Sequence, residues 1–257
     1  MRNDQTRTIF TAQECETTSR LLAKIVLLGG LIITSVYLLT PVTATAAIAR
    51  SISAGGSTAS STGLTAYRYD QAQSAMGQGD FELAGLRLTL LAEQGHREAQ
   101  YLLGIAYGSG LGVTLDTREA ARWYERAAAG GHRDAQYNLG VAYSMGIGVA
   151  VDSARAVNWW QKAAARGSTD AQFNLGLMYA QGEGVTQDML EASKWWLKAA
   201  LQGDAAAQYA LGLMYVRGDG IAQDLNKALK WWFLSASQGF ERAQSALGKL
   251  GLAVTPR

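Results

Sequence analysis

The chain has 257 residues, 48% hydrophobic and 17% charged, with 29 glycines, one cysteine and a formal net charge of +2. Arg2, Arg7, Arg20, Lys24 and Arg50 precede Ser51, as do Asp4, Glu14 and Glu16, so the remainder holds 18 of the 23 basic and 18 of the 21 acidic residues and is neutral. That balance excludes a general nucleic-acid surface, and confinement of the only cysteine to position 15 excludes disulfides and thiol chemistry from the rest of the chain.

Residues 1–24 are polar and carry four basic groups. Ile25 to Leu39 then runs fifteen residues without a charge, or nineteen from Leu21 if Lys24 snorkels. Ala44-Thr45-Ala46 and Ala47-Ile48-Ala49 follow as two small-residue cleavage points. Residues 25–49 therefore read as the h-region and cleavage region of a signal peptide, or as an uncleaved signal-anchor helix approaching the length of a membrane span. Either way the basic residues stay inside and the rest is exported. The source is read as bacterial, which places the repeats in the periplasm, free or anchored to the inner membrane through residues 21–40. Residues 50–63 form a flexible Ser/Gly/Thr linker.

Residues 64–96 form a helix over 64–76, a tight turn at Gly79-Asp80-Phe81 and a second helix over 81–94. An atypical end unit of this kind is what caps a repeat array. From there one pattern recurs every 36 residues, starting at Ala99, Ala135, Ala171 and Ala207, with a truncated copy from Ala243. In the second copy Ala135, Leu139, Ala142 and Tyr143 share one helical face. A Gly-x-Gly loop follows, and Asp152 N-caps a second helix that ends at Gly167. Asp116 and Asp188 are each followed three residues later by a glutamate, Glu119 and Glu191, a capping-box spacing. Gly104, Gly140, Gly176, Gly212 and Gly248 lie inside the first helices, where each costs about 1 kcal/mol against alanine. The benefit that repays this at every copy is close approach of a bulky ring from the neighbouring helix. The loop glycines supply positive φ and are no dinucleotide fingerprint, since they follow a helix and lack the third glycine.

The repeated pattern, with Leu139-Gly140, Tyr143, Gly146-x-Gly148, Asp152 and Trp159-Trp160 in its second copy, resembles the Sel1-like repeat, a relative of the tetratricopeptide repeat. The resemblance covers residues 97–132, 133–168, 169–204 and 205–240, with 241–257 as a half-repeat cap and tail. It implies an all-α, right-handed αα-superhelical solenoid with a concave face. It also implies a scaffold, adaptor or regulatory role without catalysis, and a protein or peptide partner. The alignment with the tetratricopeptide repeat implies a concave face carrying Tyr101, Asp134, Tyr137, Asn138, Asp170, Phe173, Asn174, Gln181, Tyr209 and Arg217. An asparagine at 138 or 174 then either grips a peptide backbone or satisfies polar groups between helices.

Other candidates for chemistry are weak. His96 and His132 stand one repeat apart at the same turn and fit an N-cap role rather than a metal or catalytic one. No HExxH, GxSxG or Walker spacing exists, so neither a catalytic residue, a metal nor a cofactor is expected. Gln100, Gln136, Gln172, Gln208 and Gln244 recur in every copy as expected structural hydrogen-bonders. In each aromatic pair the first ring is expected in the core. The second, Tyr124, Trp160, Trp196 or Trp232, packs between repeats or forms a partly exposed row. The tryptophans of such a row would suit a glycan such as peptidoglycan, a different function from peptide binding.

Overall fold

The structure, a computed structural model, describes residues 61–252. The leader, with its alternatives of cleavage or anchoring, and most of the linker lie outside the described residues. Among the described residues there are eleven helices and no strand. The chain divides into two compact units, Met1–Gly130 and Gly131–Arg257.

The described part of the first unit holds α1 (Ser61–Gly77), α2 (Phe81–Glu93), α3 (Arg97–Ser109) and α4 (Thr117–Ala129). Helix α1 begins three residues before the expected Leu64 and so takes in the end of the linker. Its core gathers Ala72, Leu88, Leu91, Ala92, Ala99, Leu103 and Trp123. The second unit holds α5 (Arg133–Met145), α6 (Ser153–Ala165), α7 (Thr169–Gln181), α8 (Met189–Leu201), α9 (Ala205–Arg217), α10 (Leu225–Ser237) and α11 (Glu241–Lys249). In both units each described helix packs against the next in the chain, the stacked helix-pair arrangement of a solenoid.

The repeat length follows from a small set of local rules. Gly110, Gly146, Gly182 and Gly218 end the first helices in the left-handed conformation at φ of 72–76°. The second loop glycine does more than turn the chain. A Cβ on Gly184 would strike the Ser153 carbonyl, and one on Gly220 would come 2.6 Å from the Met189 carbonyl carbon. Each of these glycines therefore lets its loop rest on the start of the second helix of the preceding repeat.

The aspartates at 116, 152, 188 and 224 all cap as expected, accepting backbone N–H groups at 2.9–3.1 Å. The reciprocal half of the capping box does not form. The N–H groups of Asp116 and Asp188 already donate to the carbonyls of Tyr107 and Tyr179 at 2.9 Å, because the loop folds back on the helix before it. Glu119 and Glu191 turn instead to Arg122 and Lys194, at 3.0 and 2.8 Å. His96 and His132 are N-caps whose Nδ1 atoms accept from Ala99 and Ala135 at 3.1 and 3.2 Å. Four recurrent glutamines are structural: Gln100, Gln172, Gln208 and Gln244 each donate to a carbonyl eight residues back, in the last turn of the previous helix.

Trp123 lies in the core as expected of a first ring, and the other three aromatic pairs depart from expectation. In α6, α8 and α10 it is the second ring that forms the core, with Trp160, Trp196 and Trp232 only 2%, 0% and 6% exposed. Each lies over the helical glycine of its own repeat: a Cβ on Gly140, Gly176 or Gly212 would collide with the indole. The indole Nε1 donates to the carbonyl three residues before that glycine, Tyr137, Phe173 or Tyr209, at 3.2 Å in each case. Tyr124 fills the same place over Gly104, 2.7 Å from a hypothetical Cβ. The physical reason is helical phase. Ala156, Trp160, Ala163 and Ala164 fall at i, i+4, i+7 and i+8 on the buried stripe, and Trp159 sits about 100° off it. Trp159 and Trp195 are half-buried and covered by Lys162 and Lys198, 3.9 and 3.7 Å from the ring centroids. Trp160, Trp196 and Trp232 thus present no face to a glycan.

Candidate functional site

The residues proposed for a binding face sort by unit. Tyr101 belongs to the first, where its ring lies 6.1 Å from that of Tyr124. The others belong to the second, all on the first helices α5, α7 and α9 of their repeats. Asp134 and Asp170 are second residues of α5 and α7, and Tyr137, Phe173 and Tyr209 stand one turn further on. Gln181 and Arg217 are the last residues of α7 and α9. At 1.5 Å rise per residue they sit roughly 16 Å from the N-terminal ends, so they are not part of one compact site with the aspartates.

What the fold does bring together is Asp134, Tyr137, Asp170 and Asn174. On α7, Asp170 and Asn174 share a face at i and i+4, and both reach Tyr137 on α5. Burial pushes the Tyr137 hydroxyl far above the ordinary phenol range, and the charge of Asp170 adds to it. Asn174 is 2% exposed. Its side chain lies beside the Tyr137 hydroxyl, and its buried Nδ2 makes no well-formed hydrogen bond. Asn138, one repeat earlier, is half-buried, so the two asparagines are not equivalent. Tyr209 is committed to packing, 6.3 Å from Trp232 and 5.5 Å from Phe240.

The cluster is acidic. Arg133 pairs with Asp134 at 2.7 Å and also acts on Asp170. Asp204, the N-cap of α9, also interacts with Asp170. Burial, then the charge of Asp134, raises the Asp170 carboxyl above its ordinary value against the pull of Arg133. Burial also raises Asp204, opposed by the Ala207 N–H that its Oδ1 accepts at 2.6 Å.

These directions set a pH dependence. A raised carboxylate is held ionised in the folded state at neutral pH against a penalty that the unfolded chain lacks. As pH falls through the raised folded value the penalty is relieved, and below the unfolded value it is gone. Asp170→Asn is therefore expected to gain stability relative to the parent as pH rises from 3 to 7. Urea melts at both pH values check this, and a relative loss at pH 7 would refute it.

The Sel1 repeat model matches four consecutive segments, residues 97–132, 133–168, 169–204 and 205–240, which together are more than half of the chain. The chain belongs to the Sel1 repeat family. Among solved structures it is similar to c5321, a protective antigen present in uropathogenic Escherichia coli strains and displaying an SLR fold. The identity is 33% and the TM-score 0.71, over 83% of this chain and 45% of that one. It is similar also to a Sel1 repeat protein from Oxalobacter formigenes, with 30% identity and a TM-score of 0.67, over 73% of this chain and 78% of that one. The chain thus spans less than half the length of the first of these. No curated protein matches it. Sel1 repeat proteins generally mediate protein–protein interaction, and their fold is typically a non-catalytic scaffold.

Proposed function

We propose that this Sel1 repeat chain is a non-enzymatic adaptor of the cell envelope. It holds an extended segment of a partner protein on the first-helix face of its second unit. The observation that carries the reading is the acidic cluster of Asp134, Tyr137, Asp170 and Asn174, drawn from two successive repeats around a buried amide donor with no acceptor. Three carboxylates, counting Asp204, act there, with the guanidinium of Arg133 beside them. A partner segment bearing lysine or arginine answers this charge.

Export supports the same reading from the other end of the chain. The basic residues before Leu21 and the apolar run to Leu39 form a leader that would carry the repeats across a membrane. N-terminal sequencing of the exported product distinguishes cleavage from anchoring, and a product confined to the cytoplasm would refute the envelope assignment. For the binding face, the full chain is crosslinked in envelope extract and its partners identified by mass spectrometry. Asp134→Asn/Asp170→Asn, which keeps side-chain shape and removes two charges, is expected to weaken the specific partner at least ten-fold. Undiminished capture by this variant would overturn the site.

A further inference from the structure

The second helices of the second unit, α6, α8 and α10, turn a buried stripe toward the first helices and leave an outer face. On α8 the stripe is Ala192, Trp196, Ala199 and Ala200. The outer face presents Leu190, Lys194, Leu197, Lys198 and Leu201, at i, i+4, i+7, i+8 and i+11. Its leucines are 49%, 40% and 72% exposed. Equivalent positions on α10 add Lys230, Phe233 and Leu234, all exposed. The fold does not require large apolar residues there. The counterparts of Leu190, Leu197 and Leu201 are Arg118, Glu125 and Ala129 in α4, and Ala154, Gln161 and Ala165 in α6.

The cations of these three helices divide by partner. Arg155, Lys194 and Lys227 pair with Asp152, Glu191 and Asp224. Lys162, Lys198 and Lys230 have no carboxylate partner among the described residues. Lys162 and Lys198 lie over the half-buried rings of Trp159 and Trp195.

We infer that this outer face rests on an anionic phospholipid bilayer, with Leu197, Leu201, Phe233 and Leu234 entering the interface and Lys162, Lys198 and Lys230 reaching the headgroup phosphates. Exposed leucines interleaved with lysines match the boundary between headgroups and acyl chains. Apolar side chains enter it, and lysine stems follow them with the ammonium left in the polar layer. Half-buried tryptophans such as Trp195 and Trp231 suit the same depth. A nucleic acid would answer the lysines and leave the leucines in water. A protein interface favours arginine and is depleted in lysine, whereas every cation on α8 and α10 is a lysine. The inference goes beyond the adaptor reading and does not depend on it. The acidic cluster belongs to the first helices, so a bilayer on the outer face of the second helices leaves that cluster open to a partner.

The test places a nitroxide on Leu201→Cys in a Cys15→Ser background. The full chain is mixed with vesicles of phosphatidylcholine and phosphatidylglycerol, or of phosphatidylcholine alone. With the anionic lipid the label is expected to collide with dissolved oxygen and to be shielded from a water-soluble nickel chelate. With phosphatidylcholine alone it should be open to the chelate. Each lysine beside an anionic surface is worth about five-fold in occupancy, so Lys162→Gln/Lys198→Gln/Lys230→Gln should lower the lipid-facing population roughly a hundred-fold. All three side chains are exposed, and an unchanged melting temperature verifies that the variant folds. Asp134→Asn/Asp170→Asn is expected to leave the label's depth unchanged, so failure of the acidic-cluster reading and failure of this one are separable. A label open to the chelate in both lipids, or a depth indifferent to the lysine variant, overturns the inference. A label shielded from both reagents, by a second copy in the vesicles or by a protein of lipid-free envelope extract, gives the face to protein and overturns it as well.

Discussion

Gly176→Ala is expected to destabilise the fold by about 2 kcal/mol or more, although alanine is the better helix former. Its Cβ would enter the space held by the Trp196 indole, a ring with no exposed surface. Overpacking a filled core costs about 1–3 kcal/mol, and the Trp196 Nε1 bond to the Phe173 carbonyl is strained at the same time. Gly248→Ala is the matched control. It occupies the same position of the same helix type with nothing within 4 Å of the new Cβ. It is expected to stabilise by about 0.5–1 kcal/mol through helix propensity alone. Urea unfolding of both variants, read as midpoint shifts at constant slope, tests the pair. A neutral Gly176→Ala would mean that the indole does not lie where the fold puts it.

The second large effect separates the two tryptophans of a pair. Trp196→Ala is expected to lose about 3–5 kcal/mol, the range for deleting a fully buried aromatic side chain. Trp195→Ala should lose less than half as much, since that ring is half-buried and covered by Lys198 at 3.7 Å. Thermal and urea melts of the two variants suffice. Equal losses, or a larger one at Trp195, would reinstate the first ring as the core residue. The same contrast applies at Trp160 against Trp159, because the arrangement repeats with the sequence.

Much of this molecule was legible before any coordinates. The 36-residue period, the aspartate caps, the positive-φ glycines and the ring-over-glycine pairing all follow from rules that act within one turn or one helix pair. Repetition multiplied each signal four-fold, which is why the family resemblance held. Helical phase could also have assigned the tryptophans, since Trp160 falls in register with Ala156 and Ala163. Order in the pair marks the core ring only at Trp123; at Trp160, Trp196 and Trp232 helical angle decides.

Other features depended on tertiary contacts. Whether Glu119 closes a capping box depends on where the Asp116 N–H already points, and the loop decides that by folding back on Tyr107. Asn138 and Asn174 occupy equivalent positions, yet only Asn174 is fully buried, because the side chains packed around each differ from repeat to repeat. The grouping of Asp134, Asp170 and Asp204 draws on the first helices of three successive repeats. In this protein, then, the local pattern determined the repeat and its caps, since those are short-range choices of backbone and side chain. Burial and charge at particular repeat-equivalent positions were decided only by tertiary structure, because they depend on neighbours tens of residues away along the chain.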